Sequence, residues 1–200
     1  MFLKSLLSSS IVVLLLVSLG ASDDRRVLDA VKSKNKQALQ ALLKQRVDVN
    51  APQADGATAL HWAAHWDDLE VADLLIRAGA HANAVDDHGA TPLWLASLNG
   101  SAAMIEKLLK AGANPNAALV SGETPLMTAS RSGSLEGVKS LLAHGATVNA
   151  KEVSLGQTAL MWAVAQAHAD VVQALIEGGA DLNSRTGSRH EVVTTAVYRD

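Results

Sequence analysis

The residues best placed to do chemistry in this 200-residue sequence are two histidines. His61 and His65 stand four apart, so on a helix they share a side and could share a metal ion, with Asp67, Asp68 or His88 as further ligands. His190-Glu191-Val192-Val193-Thr194 opens like a zinc-protease helix, but threonine stands where the second histidine must be, and one ligand alone is delivered. The acidic pairs Asp67-Asp68 and Asp86-Asp87 lack the alternating spacing of a calcium loop and read as a solvated acidic rim. Asn99-Gly100-Ser101 fits the glycosylation pattern, a tripeptide frequent by chance. The sequence contains no nucleophile elbow, phosphate-binding glycine loop or dinucleotide fingerprint. With no cysteine, disulfides, thiolate metal sites and cysteine nucleophiles are excluded as well. The expectation is a protein with no catalytic residues, no metal and no cofactor.

Composition agrees with that reading. Seventeen Lys and Arg against 20 Asp and Glu leave a net charge of −3, unlike a strongly basic nucleic-acid binder. The chain is 48% hydrophobic and 18% charged, too apolar for a disordered tail. Only 3% is aromatic, so the core must come mostly from Leu, Val, Ile and Ala, a composition that leans helical.

Residues 1–21 carry one cation, Lys4, then the apolar run Ile11 to Val17, then the small-residue ending Ser18-Leu19-Gly20-Ala21-Ser22. This is the three-part layout of a secretory signal peptide, with cleavage expected after Gly20 or Ala21. The apolar run is shorter than the roughly 20 residues of a spanning helix. A membrane is expected as a partner only if the segment stays uncleaved. The expected location is periplasmic or secreted, and export without cysteine fits a bacterial periplasm.

The rest of the chain repeats itself. Gly56-Ala57-Thr58-Ala59-Leu60-His61 returns as Gly89-Ala90-Thr91-Pro92-Leu93-Trp94, Gly122-Glu123-Thr124-Pro125-Leu126-Met127 and Gly156-Gln157-Thr158-Ala159-Leu160-Met161, the threonines being 33, 33 and 34 apart. A second phrase keeps step: Ala78-Gly79-Ala80-His81-Ala82-Asn83, Ala111-Gly112-Ala113-Asn114-Pro115-Asn116, His144-Gly145-Ala146-Thr147-Val148-Asn149 and Gly178-Gly179-Ala180-Asp181-Leu182-Asn183. Two phrases locked to one period define a repeat protein. Between them lie two helical stretches per unit, such as Thr58 to Trp66 and Leu69 to Arg77, the second with Val71, Leu74 and Leu75 on one face. The threonine suits an N-cap, Pro or Ala the next position, and the glycines after the second helix suit a backbone with positive φ.

This pattern resembles the ankyrin repeat, with its Thr-Pro-Leu-His-x-Ala phrase and closing Gly-Ala-x-x-Asn, over about Val27 to Thr186. The resemblance implies an all-α solenoid of helix-turn-helix units carrying β-turn fingers. Residues 22–52 are expected to form an N-terminal capping helix pair, with repeats at 53–85, 86–118, 119–152 and 153–186. Residues 187–200 break the register as an irregular or truncated C-terminal segment. Arg46, Asp67 and Ala167 depart from the glycines of the pattern, and one residue is inserted near Lys151 to Leu155, which bears on local loop shape. The resemblance also makes His61 the histidine that ties turns together rather than a metal ligand.

In ankyrin proteins the fingers and the exposed side of the first helix line a concave binding surface. Carried over, those positions give Asp55, His65, Trp66, Asp87, His88, Leu98, Asn99, Glu123, Arg131 and Gln166 as partner-binding residues. Trp62, Trp94 and Trp162 read as packing residues, and Trp66, beside His65 and two aspartates, as an outward anchor. The expected function is a monomeric, non-catalytic scaffold or adaptor for a protein partner with a basic, partly apolar surface. The alternative is the recognition arm of a longer, enzymatic or effector protein.

Overall fold

The computed structural model describes residues 25–187. The expected signal peptide at 1–21 and residues 188–200 of the expected C-terminal segment lie outside the described residues.

The described residues form ten helices in five pairs. They are α1 (Arg26–Lys32) and α2 (Lys36–Lys44), α3 (Ala59–His65) and α4 (Leu69–Arg77), α5 (Pro92–Leu98) and α6 (Ala102–Lys110), α7 (Pro125–Ser132) and α8 (Leu135–Ala143), and α9 (Ala159–Ala165) and α10 (Ala169–Glu177). The starts follow from capping chemistry. The hydroxyls of Thr91, Thr124 and Thr158 accept the N–H groups of Trp94, Met127 and Met161, and Pro92 and Pro125 take first-turn positions where no N–H is needed. Asn35, Asp68 and Ser101 cap second helices in the same way.

Neither helix of a unit can bury its apolar face alone. The first helices α3, α5, α7 and α9 stack in one layer and the second helices lie behind them. Leu60, Leu93, Leu126 and Leu160 fill the same place in successive units, and Leu75, Leu108, Leu141 and Leu175 answer from the second layer, all buried. Ala63, Ala96, Ala129 and Ala163 are fully buried, which lets the first helices pack closely.

No strand forms among the described residues, so the β-turn fingers implied by the resemblance are not there. Each loop instead closes on itself, through Gln53 N–H to Ala57 C=O (2.9 Å), Asp86 to Ala90 (3.0 Å) and Leu119 to Glu123 (3.0 Å). Neighbouring loops then share one bond, as from Asp87 N–H to Asp55 C=O (2.8 Å) or Val153 to Ser121 (2.9 Å). Single bonds do not make the repeated pairs of a strand ladder.

Asparagines join the units on the other side. The Asn83 side chain donates to Gly112 C=O (2.9 Å) and accepts from Asn114 N–H (2.7 Å). Asn116 does the same to Gly145 and Thr147, Asn50 to Gly79 and His81, and Asn149 to Gly179 and Asp181.

The departures from glycine keep a positive φ: Arg46 takes 56° where Gly79, Gly112, Gly145 and Gly179 take 85–91°. Lys34, Asp67 and Ala167 adopt φ of 54°, 54° and 58° at the register where Gly100 and Gly133 sit at 68° and 75°. Each L-residue there carries a left-handed cost of roughly 1–2 kcal/mol, which packing on both sides overrides. Ala167→Gly is expected to raise stability by about 0.5–1 kcal/mol, the relief exceeding glycine's added chain entropy. Gly133→Ala is expected to lower it by about 1–3 kcal/mol, since a β-carbon there would also lie 2.7 Å from the His168 ring. Urea unfolding of both variants checks the pair of signs.

Candidate functional site

His61 is the chemical centre of the first repeat, and it is structural. It is 2% exposed; its Nδ1 accepts the Thr58 N–H (3.1 Å) and its Nε2 donates to Ala90 C=O in the next loop (3.1 Å). These partners fix the tautomer, and burial pushes the imidazole pKa below its ordinary value. Both ring nitrogens are committed to the protein, so the His61 and His65 pair does not converge on an ion. Among the described residues no group of three or more His, Cys, Asp or Glu could hold a metal.

One turn on, α3 presents an aromatic strip. The Trp62 and Trp66 rings lie 5.0 Å apart, and His65 meets the edge of Trp62 at 5.9 Å. Trp66, expected outside, is half-buried: it packs against the core and helps line a hollow with Ala30, Val31 and Lys34 of the N-terminal unit. Lysines of that unit cover both indoles, Lys32 Nζ over Trp62 at 4.8 Å and Lys34 Nζ over Trp66 at 5.1 Å. Trp62 N–H donates to Gln53 Oε1 (3.3 Å).

Next to this strip is a cleft lined by Gln53, Asp55, Ala57, His61, Trp62, His65, Asp86 and Leu95. Asp55 is exposed, and the Ala57 N–H, then the Gln53 amide, hold its carboxyl below the usual carboxylate range. Asp86 Oδ1 accepts the N–H groups of His88 (2.9 Å) and Ala90 (2.8 Å), which shapes the loop that leaves Asp87 and His88 exposed. Gln53, Trp62, Asp86 and Leu95 were missed as site residues by sequence reasoning. Trp62 and Leu95 share one register position, which was a readable signal.

The other expected residues divide. Leu98 is 41% exposed and Gln166 is exposed. Asn99 is exposed too, but its amide donates to the carbonyls of Ala64 (3.1 Å) and His65 (2.7 Å), closing the end of α3. Glu123 pairs with Arg131 (3.1 Å) and accepts from Thr128, while the Arg131 guanidinium lies 4.8 Å over Trp162. The structure therefore brings Asp55 and His65 together beside Asp86, turns Trp66 toward the N-terminal unit, and gives Asn99, Glu123 and Arg131 bonds within the stack. Trp62 and Trp162 pack against the core as expected; Trp94 has its indole N–H buried without a partner.

The inserted residue of the fourth loop is absorbed by Glu152. This buried carboxylate accepts from Ser154 (2.6 Å), Leu155 (2.7 Å) and Gln157 (3.0 Å) N–H groups, the last being the main reason its pKa is lowered. It holds the register of Asp86, and its longer reach spans the longer loop.

Residues 27–119 and 116–186 match the family model described as Ankyrin repeats (3 copies). The chain belongs to the ankyrin-repeat family. No curated protein shows significant similarity to it.

His61 makes stability depend on pH with a definite sign. Its folded pKa lies below the unfolded value of about 6.5, so its contribution is complete above that value and is lost as pH falls through it, where the unfolded chain takes up a proton first. Urea midpoints are expected to drop between pH 7.5 and 5.5. His61→Met, which installs the residue found at this register in Met127 and Met161, is expected to shrink that drop while costing about 1–3 kcal/mol at pH 7.5 through the buried Thr58 N–H left without its acceptor.

Proposed function

We propose that the protein is a non-catalytic scaffold that binds another protein through the face formed by its loops and first helices. The observation that carries this reading is Leu98, exposed at 41% on a first helix at the register of His65, beside the Trp62, His65 and Trp66 strip and the exposed acids Asp55 and Asp87. Apolar and aromatic surface next to carboxylates suits a partner whose surface is basic and partly apolar. Asp55, His65, Trp66, Asp87, His88, Leu98 and Gln166 would make the contacts; Asn99, Glu123 and Arg131 would shape them from beneath. The layout of residues 1–21 supports export to a periplasm or the cell exterior, with the binding unit acting as a monomer.

A second reading, the recognition arm of a longer protein, has its own support. Val164 on α9 is 59% exposed, whereas Ala64, Ser97 and Ser130 at its register are fully buried under the following unit. Among the described residues nothing covers that end, which suits a further element stacking on it.

Crosslinking capture from the exported fraction of the native cells, compared with Leu98→Asp and Trp66→Ala, tests the scaffold. One captured protein is expected to vanish with Leu98→Asp at unchanged stability. Trp66→Ala is expected to weaken capture and to cost about 2 kcal/mol, less than the roughly 3–5 kcal/mol of a fully buried ring. Undiminished capture by both variants would contradict the proposal.

A further inference from the structure

We propose that the cleft between the first and second repeats receives a single arginine side chain from the protein partner. The inference rests on the scaffold reading above and specifies the chemistry of that face.

The repeat register itself marks the place. Lys32, His65, Leu98 and Arg131 occupy one position in successive units, and Trp62, Leu95, Thr128 and Trp162 another. Twice, the cation of one unit covers the indole of the next: Lys32 over Trp62 at 4.8 Å and Arg131 over Trp162 at 4.8 Å. In both cases the indole N–H donates to a loop glutamine, Gln53 or Gln157. At the first of the two junctions between them the chain supplies His65 facing Leu95, an imidazole too short to reach across as those cations do; at the second, Leu98 stands at the register opposite Thr128. It is at the first that the cleft opens, with Trp62, Leu95 and Ala57 as apolar wall and Asp55 and Asp86 as carboxylates on its rim.

Charge complementarity selects the occupant. The cleft is lined by Asp55 and Asp86 and by no lysine or arginine. Each rim carboxylate is oriented by its own loop, Asp55 by Ala57 N–H (3.0 Å) and Gln53 (2.8 Å), Asp86 by His88 and Ala90 N–H. An arginine stem would lie along Trp62 and Leu95, and its planar guanidinium would reach the carboxylate rim while stacking beside aromatic rings. A purely apolar side chain would leave both carboxylates facing it without gain.

The test uses the full chain, 15N-labelled, titrated with acetyl-Leu-Arg-Leu-amide and with the same peptide carrying citrulline, the uncharged isostere. The Trp62 indole resonance is expected to move saturably with the arginine peptide and at least about ten-fold more weakly with citrulline. Asp55→Asn with Asp86→Asn keeps one acceptor oxygen for the N–H groups of each loop, at the loss of the Gln53 bond to Asp55, and is expected to weaken arginine binding by about ten-fold or more; Asp86→Asn alone serves if the double variant loses its dispersed spectrum. Equal shifts from both peptides, shifts that bypass Trp62, or no shift would overturn the inference. Partner capture that Leu98→Asp abolishes and the double variant leaves intact would overturn the arginine site alone; capture indifferent to both would remove the scaffold reading as well.

Discussion

Four asparagine amides hold this stack together. Asn50, Asn83, Asn116 and Asn149 each present a donor and an acceptor that copy a backbone peptide group, bonding the glycine carbonyl and a nearby N–H of the following unit. A hydrophobic layer alone fixes separation between helices but not register, because apolar contact has no direction. The paired amide bonds supply direction, and they recur at every junction between the described units. Leucines then fall opposite leucines, and the first helices arrive side by side.

That register is what gives the binding face its meaning. Positions one repeat apart form a row, so Lys32, His65, Leu98 and Arg131 become neighbours although they are about 33 residues apart in sequence. The row varies where the frame does not: Thr58, Thr91, Thr124 and Thr158 are buried and alike, while the residues of the row are cationic, aromatic or apolar. Convex salt links such as Lys107 to Asp73 (2.5 Å) and Lys36 to Glu70 (2.6 Å) span successive second helices, but at exposed or half-exposed sites they contribute little to stability. The Glu106 carboxylate, bonded to Ser140, is held more acidic chiefly by that hydroxyl.

Much of this architecture is legible in the sequence because capping and turn residues act locally. Threonine, proline and glycine sit at fixed offsets and specify where each helix starts and stops, so the repeats and the unit count can be read directly. The tie from His61 to the next loop was readable only through the family resemblance. The finger expectation failed for a physical reason: a strand needs repeated bonds between neighbours, and these loops spend their N–H groups on their own carbonyls and on Asp55, Asp86 and Glu152. At the site, sequence spacing brings out His65, Trp66 and Leu98 but not which side chains their neighbours occupy. Lys34 over Trp66, and Arg131 tied between Glu123 and Trp162, are contacts between units that a one-dimensional pattern does not display.

The units act as one body because the asparagine amides couple them. Hydrogen exchange of Asn116→Ala, at the junction between the second and third repeats, tests it most directly. The account predicts that the Thr147 amide, which donates to Asn116 Oδ1 at 2.7 Å, loses protection together with the helices α5 to α8 on both sides. Loss confined to Thr147, with α5 to α8 protected as in the unaltered chain, would contradict it.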